Sequence, residues 1–157
     1  MSASTADLMD QGSAELVSCE IQFRQYGGNR RFEGTIRTVR CLEDNVLLRH
    51  ALEGPGQGSV LVVDGGGSFR TALLGDHVGM LAVANGWAGI VINGCVRDVT
   101  ELGQLPIGIK ALGSNPRRSA KMGMGEVDVP VTFGGATFTP GQSIYSDDDG
   151  IVVTRPL

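Results

Sequence analysis

The chain has 157 residues, 41% hydrophobic and 19% charged, a balance that suits one folded core and not a disordered segment. A net charge of −4 with no basic run argues against direct binding of nucleic acid. No apolar stretch approaches the roughly 20 residues of a membrane-crossing helix, no leader pattern opens the chain, and Cys19, Cys41 and Cys95 lack the spacing of a disulfide framework or zinc site, which points to the reducing cytoplasm.

Residues 5–11 read as a short helix with Thr5 as its cap. Residues 35–42 alternate branched apolar with polar side chains, the pattern of a strand. Asp44 is placed to cap a helix reaching about residue 53, with Val46, Leu47, Leu48 and Leu52 on its buried side. After a Gly/Pro loop, the unbroken run Val60-Leu61-Val62-Val63 marks a strand covered on both faces. A helix is expected over 76–85, with Val78, Leu81 and Ala82 on one face and Gly86 as its stop. Residues 89–92 repeat the buried-strand pattern, 98–105 read as a short helix and 107–112 as a third strand.

That alternation over 60–112 predicts a parallel sheet with right-handed crossovers. Residues 127–133, 136–139, 143–145 and 150–154 are short strands joined by Gly and Pro turns, antiparallel in kind. The expected fold is α/β, a single domain over 1–157 with a parallel central sheet and an additional β layer.

The chemistry concentrates at Asp76 and the pair Arg97-Asp98, on the Gly-flanked turn 93–98. Twenty residues separate Asp76 from Arg97, so the pattern is D-x20-R-D. A carboxylate can ligate a hard divalent cation, and a guanidinium can grip a carboxylate or an enolate oxygen. Gly75-Asp76-His77-Val78 opens a helix, where free amides and the helix dipole attract an anion. Asp76 is equally suited to be a plain helix cap, and Asp98 and Arg97 to be a cap and a surface ion pair. Both segments follow parallel strands, whose carboxyl ends share one crevice. That convergence favours a joint site.

Other candidates are weaker. Asp64-Gly65-Gly66-Gly67-Ser68 departs from the dinucleotide, phosphate and methyl-donor loops and reads as a tight turn. Asp147-Asp148-Asp149-Gly150 fits a hairpin turn better than a calcium loop. His50 and His77 have no partner spacing, although His77 stands beside the site. Cys95 has no evident base, and neither Lys110 nor Lys121 reads as a Schiff-base lysine.

The segments VLVVDGGGSFRTALLGD, GWAGIVINGCVRD, IGIKALGSNPRRS, VTFGGATFTPG and YSDDDGIVV resemble the family that joins regulators of ribonuclease activity A to metal-dependent 4-hydroxy-4-methyl-2-oxoglutarate aldolases. The resemblance covers about residues 7–154. It implies a three-layer β/β/α domain assembled as a homotrimer. It implies two branches: aldolases that carry D-x20-R-D and also decarboxylate oxaloacetate, and regulators that inhibit an RNA-degrading endonuclease. The regulator type lacks the acidic residue after the arginine, whereas this chain keeps Asp76, Arg97 and Asp98. The aldolase branch is therefore the expectation. It implies a small 2-keto acid substrate and a Mg2+ or Mn2+ ion on Asp98. Arg97 and Asp76 would be catalytic, and Gly75, Asp76, His77, Val78 and Arg97 would bind substrate.

Overall fold

The buried apolar runs of the sequence lie side by side as parallel strands in a computed structural model that describes residues 3–156. In chain order the elements are α1 (Thr5–Gly12), a 3-10 turn (Ser13–Glu15), β1 (Leu16–Ser18), β2 (Arg24–Gln25), β3 (Phe32–Arg40) and α2 (Val46–Glu53). Next come β4 (Val60–Asp64), β5 (Ala72–Leu74), α3 (Asp76–Ala84), β6 (Gly89–Val96), α4 (Val99–Leu102) and β7 (Gly108–Ser114). The chain closes with β8 (Glu126–Val127), β9 (Val131–Phe133), β10 (Ala136–Phe138), β11 (Ser143–Asp147) and β12 (Gly150–Thr154).

The main sheet has the order β1-β12-β11-β3-β4-β6-β7-β2. The contiguous set β3, β4, β6 and β7 is parallel, and β11, β12, β1 and β2 join antiparallel. β5 extends the carboxyl end of β6, β8 that of β3, and β9 and β10 form a separate hairpin.

Side-chain alternation divides the core into two layers. Leu61, Val63, Ile90, Ile92 and Ile109 face the helices and meet Leu48, Leu52, Val78, Ala82 and Leu102. Val60, Val62 and Val91 face the other way and pack with Phe32, Ile36, Phe133, Phe138, Ile144 and Val153. Helices, central sheet and antiparallel β layer are thus stacked in that order. Phe32 lies across Gly89 and Gly108, which are paired in register on β6 and β7. A Cβ at Gly89 would stand 2.3 Å from the Phe32 ring, and at Gly108 2.0 Å from it.

Several expectations shift. Ser4, not Thr5, caps α1: the Asp7 amide donates to Ser4 Oγ at 3.0 Å, while Thr5 Oγ1 donates to Asp147 Oδ1 at 2.6 Å. Asp147 is thereby tied to α1, and its acidic run forms the β11–β12 hairpin turn. The expected strand 127–133 breaks into β8 and β9 at Asp128, whose φ is +54° and whose amide donates to Thr38 O. Residues 93–96, expected as a turn, continue β6, with a register shift between Ile92 and Cys95. The helix expected over 98–105 shortens to α4, four residues long. The strands β1, β2 and β5 are not anticipated by the sequence pattern, being two or three residues each and too short for a period to show.

Candidate active site

β5 and β6 end beside one another, and each runs straight into polar residues. β5 leads through Gly75 into α3, and β6 leads into Arg97 and Asp98. The Arg97 amide donates to Leu74 O at 2.9 Å, which fixes the two exits together. Asp98 has left-handed backbone angles (φ 58°, ψ 44°), a conformation that aspartate tolerates better than most residues. Its side chain does not cap α4. Instead its Oδ2 accepts the Asp76 amide at 3.0 Å. Gly75 makes this approach possible, since a Cβ there would stand 2.6 Å from the same oxygen.

The structure therefore brings Gly75, Asp76, His77, Val78, Arg97 and Asp98 to one crevice of about 350 Å³. The N-cap of α3 is Gly75, not Asp76. Asp76 Oδ1 accepts the His77 amide at 2.8 Å. Two of the four helix-start amides are thus engaged by the protein's own carboxylates, leaving those of Gly75 and Val78 for a ligand. The anion expected at this helix start is in part supplied by the chain itself.

The Asp98 carboxyl is held below the usual carboxylate range, first by the Asp76 amide. Partial burial works in the opposite direction, and the Asp76 side chain, Arg97 and His77 add to the lowering. No Lys or Arg among the described residues forms an ion pair with Asp76 or Asp98. Among the described residues Arg97 makes no ion pair either, and its Nη1 donates to Pro116 O at 3.3 Å.

Two neighbouring carboxylates without a cationic partner suit a hard divalent ion. Among the described residues no group of three His, Cys, Asp or Glu side chains could hold a metal. The chain offers one or two carboxylates, which is the number Mg2+ takes when waters and substrate oxygens complete its octahedron. Such a donor set would suit that ion, and Asp98 is the carboxylate that would hold it.

The rest of the crevice lining has no signal in the sequence pattern. It comprises Asn45 and Arg49 from α2 and its approach, and Arg118, Ser119 and Lys121 from the segment after β7. Asn45 Nδ2 donates to Leu73 O at 3.3 Å, and Lys121 Nζ donates to Asn45 Oδ1 at 2.9 Å. Ser119 Oγ donates to Ala72 O at 2.6 Å. This strap is held by Asp44, only 2% exposed. The Asp44 carboxylate accepts the amides of Met122 (2.7 Å), Gly123 (3.3 Å) and Met124 (3.4 Å), and also that of Val46 (3.1 Å). The sequence pattern makes Asp44 the cap of α2; the N-cap is Asn45, and Asp44, one residue earlier, accepts the first helical amide, a local contact that the pattern does indicate. The sequence does not show the others, which span 78 to 80 positions.

Burial alone would raise the Asp44 carboxyl, but the four amides outweigh it and the net shift is downward. A carboxyl lowered in the folded state contributes stability that is present above its unfolded value, about 3.9, and is lost as pH falls through the folded value. Asp44→Ala should cost about 2–3 kcal/mol, since it strips acceptors from several amides at once. Thermal melts should show that loss at pH 7 and a smaller one at about pH 3. An equal loss at both would refute the charge's role.

Several candidates lie elsewhere. Gly65 passes against Leu73 and Asn93, where a Cβ would stand 2.7 Å from Leu73 Cδ1. Asp64 Oδ1 accepts the Gly66 amide and the Asn93 side chain, so DGGGS is a tight turn outside the crevice lining. Cys95 is fully buried and burial raises its pKa. Lys110 is buried behind the sheet, and its Nζ donates to the carbonyls of Asp147 and Gly150. Burial lowers its pKa to about 8.

Fold and crevice together define a small α/β protein whose polar site opens at the carboxyl ends of parallel strands, where such folds bind ligands. The chain belongs to the RraA-like (Aldolase/RraA) family, whose model matches residues 5–153. That family includes both aldolases and ribonuclease inhibitors. A crystal structure from Geobacillus kaustophilus, described as S-adenosylmethionine:2-dimethylmenaquinone methyltransferase, is 51% identical with a TM-score of 0.95, covering 97% of this chain and 94% of that one. The RNA-processing inhibitor RraA from Thermus thermophilis is 47% identical with a TM-score of 0.95, covering 98% of this chain and 93% of that one. An unusual member of the RNase ES inhibitor RraA family from Streptomyces coelicolor is 29% identical with a TM-score of 0.79, covering 97% and 81%. No helix among the described residues is long and apolar enough to cross a membrane.

Proposed function

We propose that the protein is a metal-dependent aldolase that cleaves 4-hydroxy-4-methyl-2-oxoglutarate to two pyruvates and decarboxylates oxaloacetate. One observation carries the reading: the Asp98 carboxylate, aimed by the Asp76 amide, shares a crevice with the Arg97 guanidinium. A bound Mg2+ or Mn2+ supplies Lewis-acid stabilisation to the oxygen that becomes an enolate.

The residues supply the rest. Asp98 would hold the ion, and Arg97, which lines the same crevice, would stabilise developing negative charge. A well-placed donor of that kind contributes about 3–4 kcal/mol to the transition state. The free amides of Gly75 and Val78 bind the 1-carboxylate. In the cleavage the C3–C4 bond breaks and its electron pair moves into the enolate of one pyruvate. The 4-hydroxyl loses its proton as C4 becomes the ketone of the other. Asp76 relays that proton, and protonation at C3 completes the second pyruvate, so atoms balance.

The same reading includes assembly as a homotrimer. Exposed Leu42, Met122, Met124 and Val127 lie on and beside the strap, and another copy would cover them. The mass in solution tests this: a monomer at micromolar concentration would contradict it.

The deciding assay measures pyruvate release from either substrate with Mg2+, then with EDTA. Turnover that resists chelation overturns the metal's role. A second reading, a non-catalytic regulator of an RNA-degrading endonuclease, is favoured by the likeness to two RraA inhibitors. Capture of that endonuclease together with no pyruvate at saturating Mg2+ would establish it instead. A methyltransferase reading would need the DGGGS turn as its donor loop, and calorimetry with S-adenosylmethionine would show no binding there.

A further inference from the structure

The crevice is far more positive than the protein around it. Arg49, Arg97, Arg118 and Lys121 line it against Asp76 and Asp98, so 4 − 2 leaves a surplus of +2, on a chain whose net charge is −4. A divalent ion raises that surplus to +4. A monoanionic ligand would leave most of it uncompensated, whereas a ligand with a second carboxylate matches it better.

Three of these cations already have partners. Arg97 donates to Pro116 O, Lys121 to Asn45 Oδ1, and Arg49 pairs with Glu53 at 3.7 Å. Arg118 has no hydrogen-bond or ion-pair partner for its side chain among the described residues, and its guanidinium is exposed at the crevice. Its backbone, by contrast, is pinned. Arg118 bridges Ala72 at the edge of β5, the Ala72 amide donates to Arg117 O at 2.7 Å, and Ser119 Oγ holds Ala72 O. The Asp44 anchor secures the strap two residues beyond Ala120. A fixed backbone carrying a free, planar five-donor group is suited to bidentate recognition of a carboxylate.

We infer that Arg118 is the residue that selects for a second carboxylate at the far end of a 2-keto acid, opposite the end held at Asp98. The inference rests on the keto-acid reading above and adds a specificity residue to it. The pair of probes is 2-oxoglutarate and 2-oxopentanoate, which share a five-carbon 2-keto acid chain and differ in the distal carboxylate. Titration calorimetry with Mg2+ should show wild-type protein binding 2-oxoglutarate at least tenfold more tightly. Arg118→Gln should erase that preference while leaving 2-oxopentanoate affinity within about twofold, and Arg118→Lys should restore part of it. Arg118 supports no core packing, so melting temperatures should match.

A preference that survives in Arg118→Gln, or wild-type protein that binds both probes equally or neither, overturns the assignment. The pyruvate assay is read separately. Discrimination in binding without any turnover would overturn the aldolase reaction yet support Arg118.

Discussion

Asp98→Ala should lower pyruvate formation from 4-hydroxy-4-methyl-2-oxoglutarate by about 10³-fold, with Arg97→Ala close behind at about 10²–10³-fold. The two losses have different physical origins. On the proposed mechanism Asp98 is the protein's ligand to the cation, so the defect of Asp98→Ala should deepen at low Mg2+ and ease partly at high Mg2+. On the same mechanism Arg97→Ala would leave the cation in place but withdraw a donor from the developing oxyanion, so kcat should fall at every metal concentration. Neither change should unfold the protein. Both side chains are half-exposed, and neither belongs to the apolar core.

Gly75→Ala offers a control that adds nothing chemical. Its Cβ would stand 2.6 Å from Asp98 Oδ2, so the carboxylate must move. Activity should fall while circular dichroism stays unchanged. Steady-state kinetics on the three variants, with melting temperatures beside them, test the whole arrangement. An Asp98→Ala protein within tenfold of wild type would remove Asp98 from the mechanism.

The largest effect on stability is expected at Gly108. Its Cβ would lie 2.0 Å from the Phe32 ring, closer than any real contact, and the paired Gly89 has a similar clash at 2.3 Å. Phe32 is 5% exposed and packed between the sheet and the antiparallel layer, so it cannot swing into solvent without opening that core. Overpacking of this kind costs typically about 1–3 kcal/mol, and this site should lie at the top of that range. For a domain of this size about 3 kcal/mol corresponds to a fall of roughly 6–12 °C in melting temperature. Gly108→Ala together with Phe32→Ala should be less destabilised than the sum of the single changes, because the second makes room for the first. Strict additivity would show that the contact is not the cause.

Much of the architecture is legible along the chain because its signals are local. Val60–Asp64 is apolar almost to its end, and only a strand covered on both faces tolerates that. The alternation of such runs with helical spacing requires parallel pairing, and parallel pairing brings the carboxyl ends of β4 and β6 to one edge; the short β5 that delivers Asp76 to the end of β6 has no such signal. The meeting of Asp76 with Arg97-Asp98 is therefore an expectation from strand order, and the contact that fixes it runs through β5. Their partners carry no such expectation. Asp44 is a helix cap by local pattern, yet most of its hydrogen bonds go to amides near residue 123.

What the sequence determined by itself is the order of the longer elements, the buried strands and the expectation that an acidic pair meets a guanidinium. Tertiary structure alone decided that Asp98 turns to the Asp76 amide, that Arg118 and Lys121 close the crevice, and that Phe32 rests on two glycines. The physical reason is range. Periodicity and capping act within a few residues of backbone. These other contacts depend on strand register and on how a strap crosses the sheet, and nothing within one turn of chain encodes either.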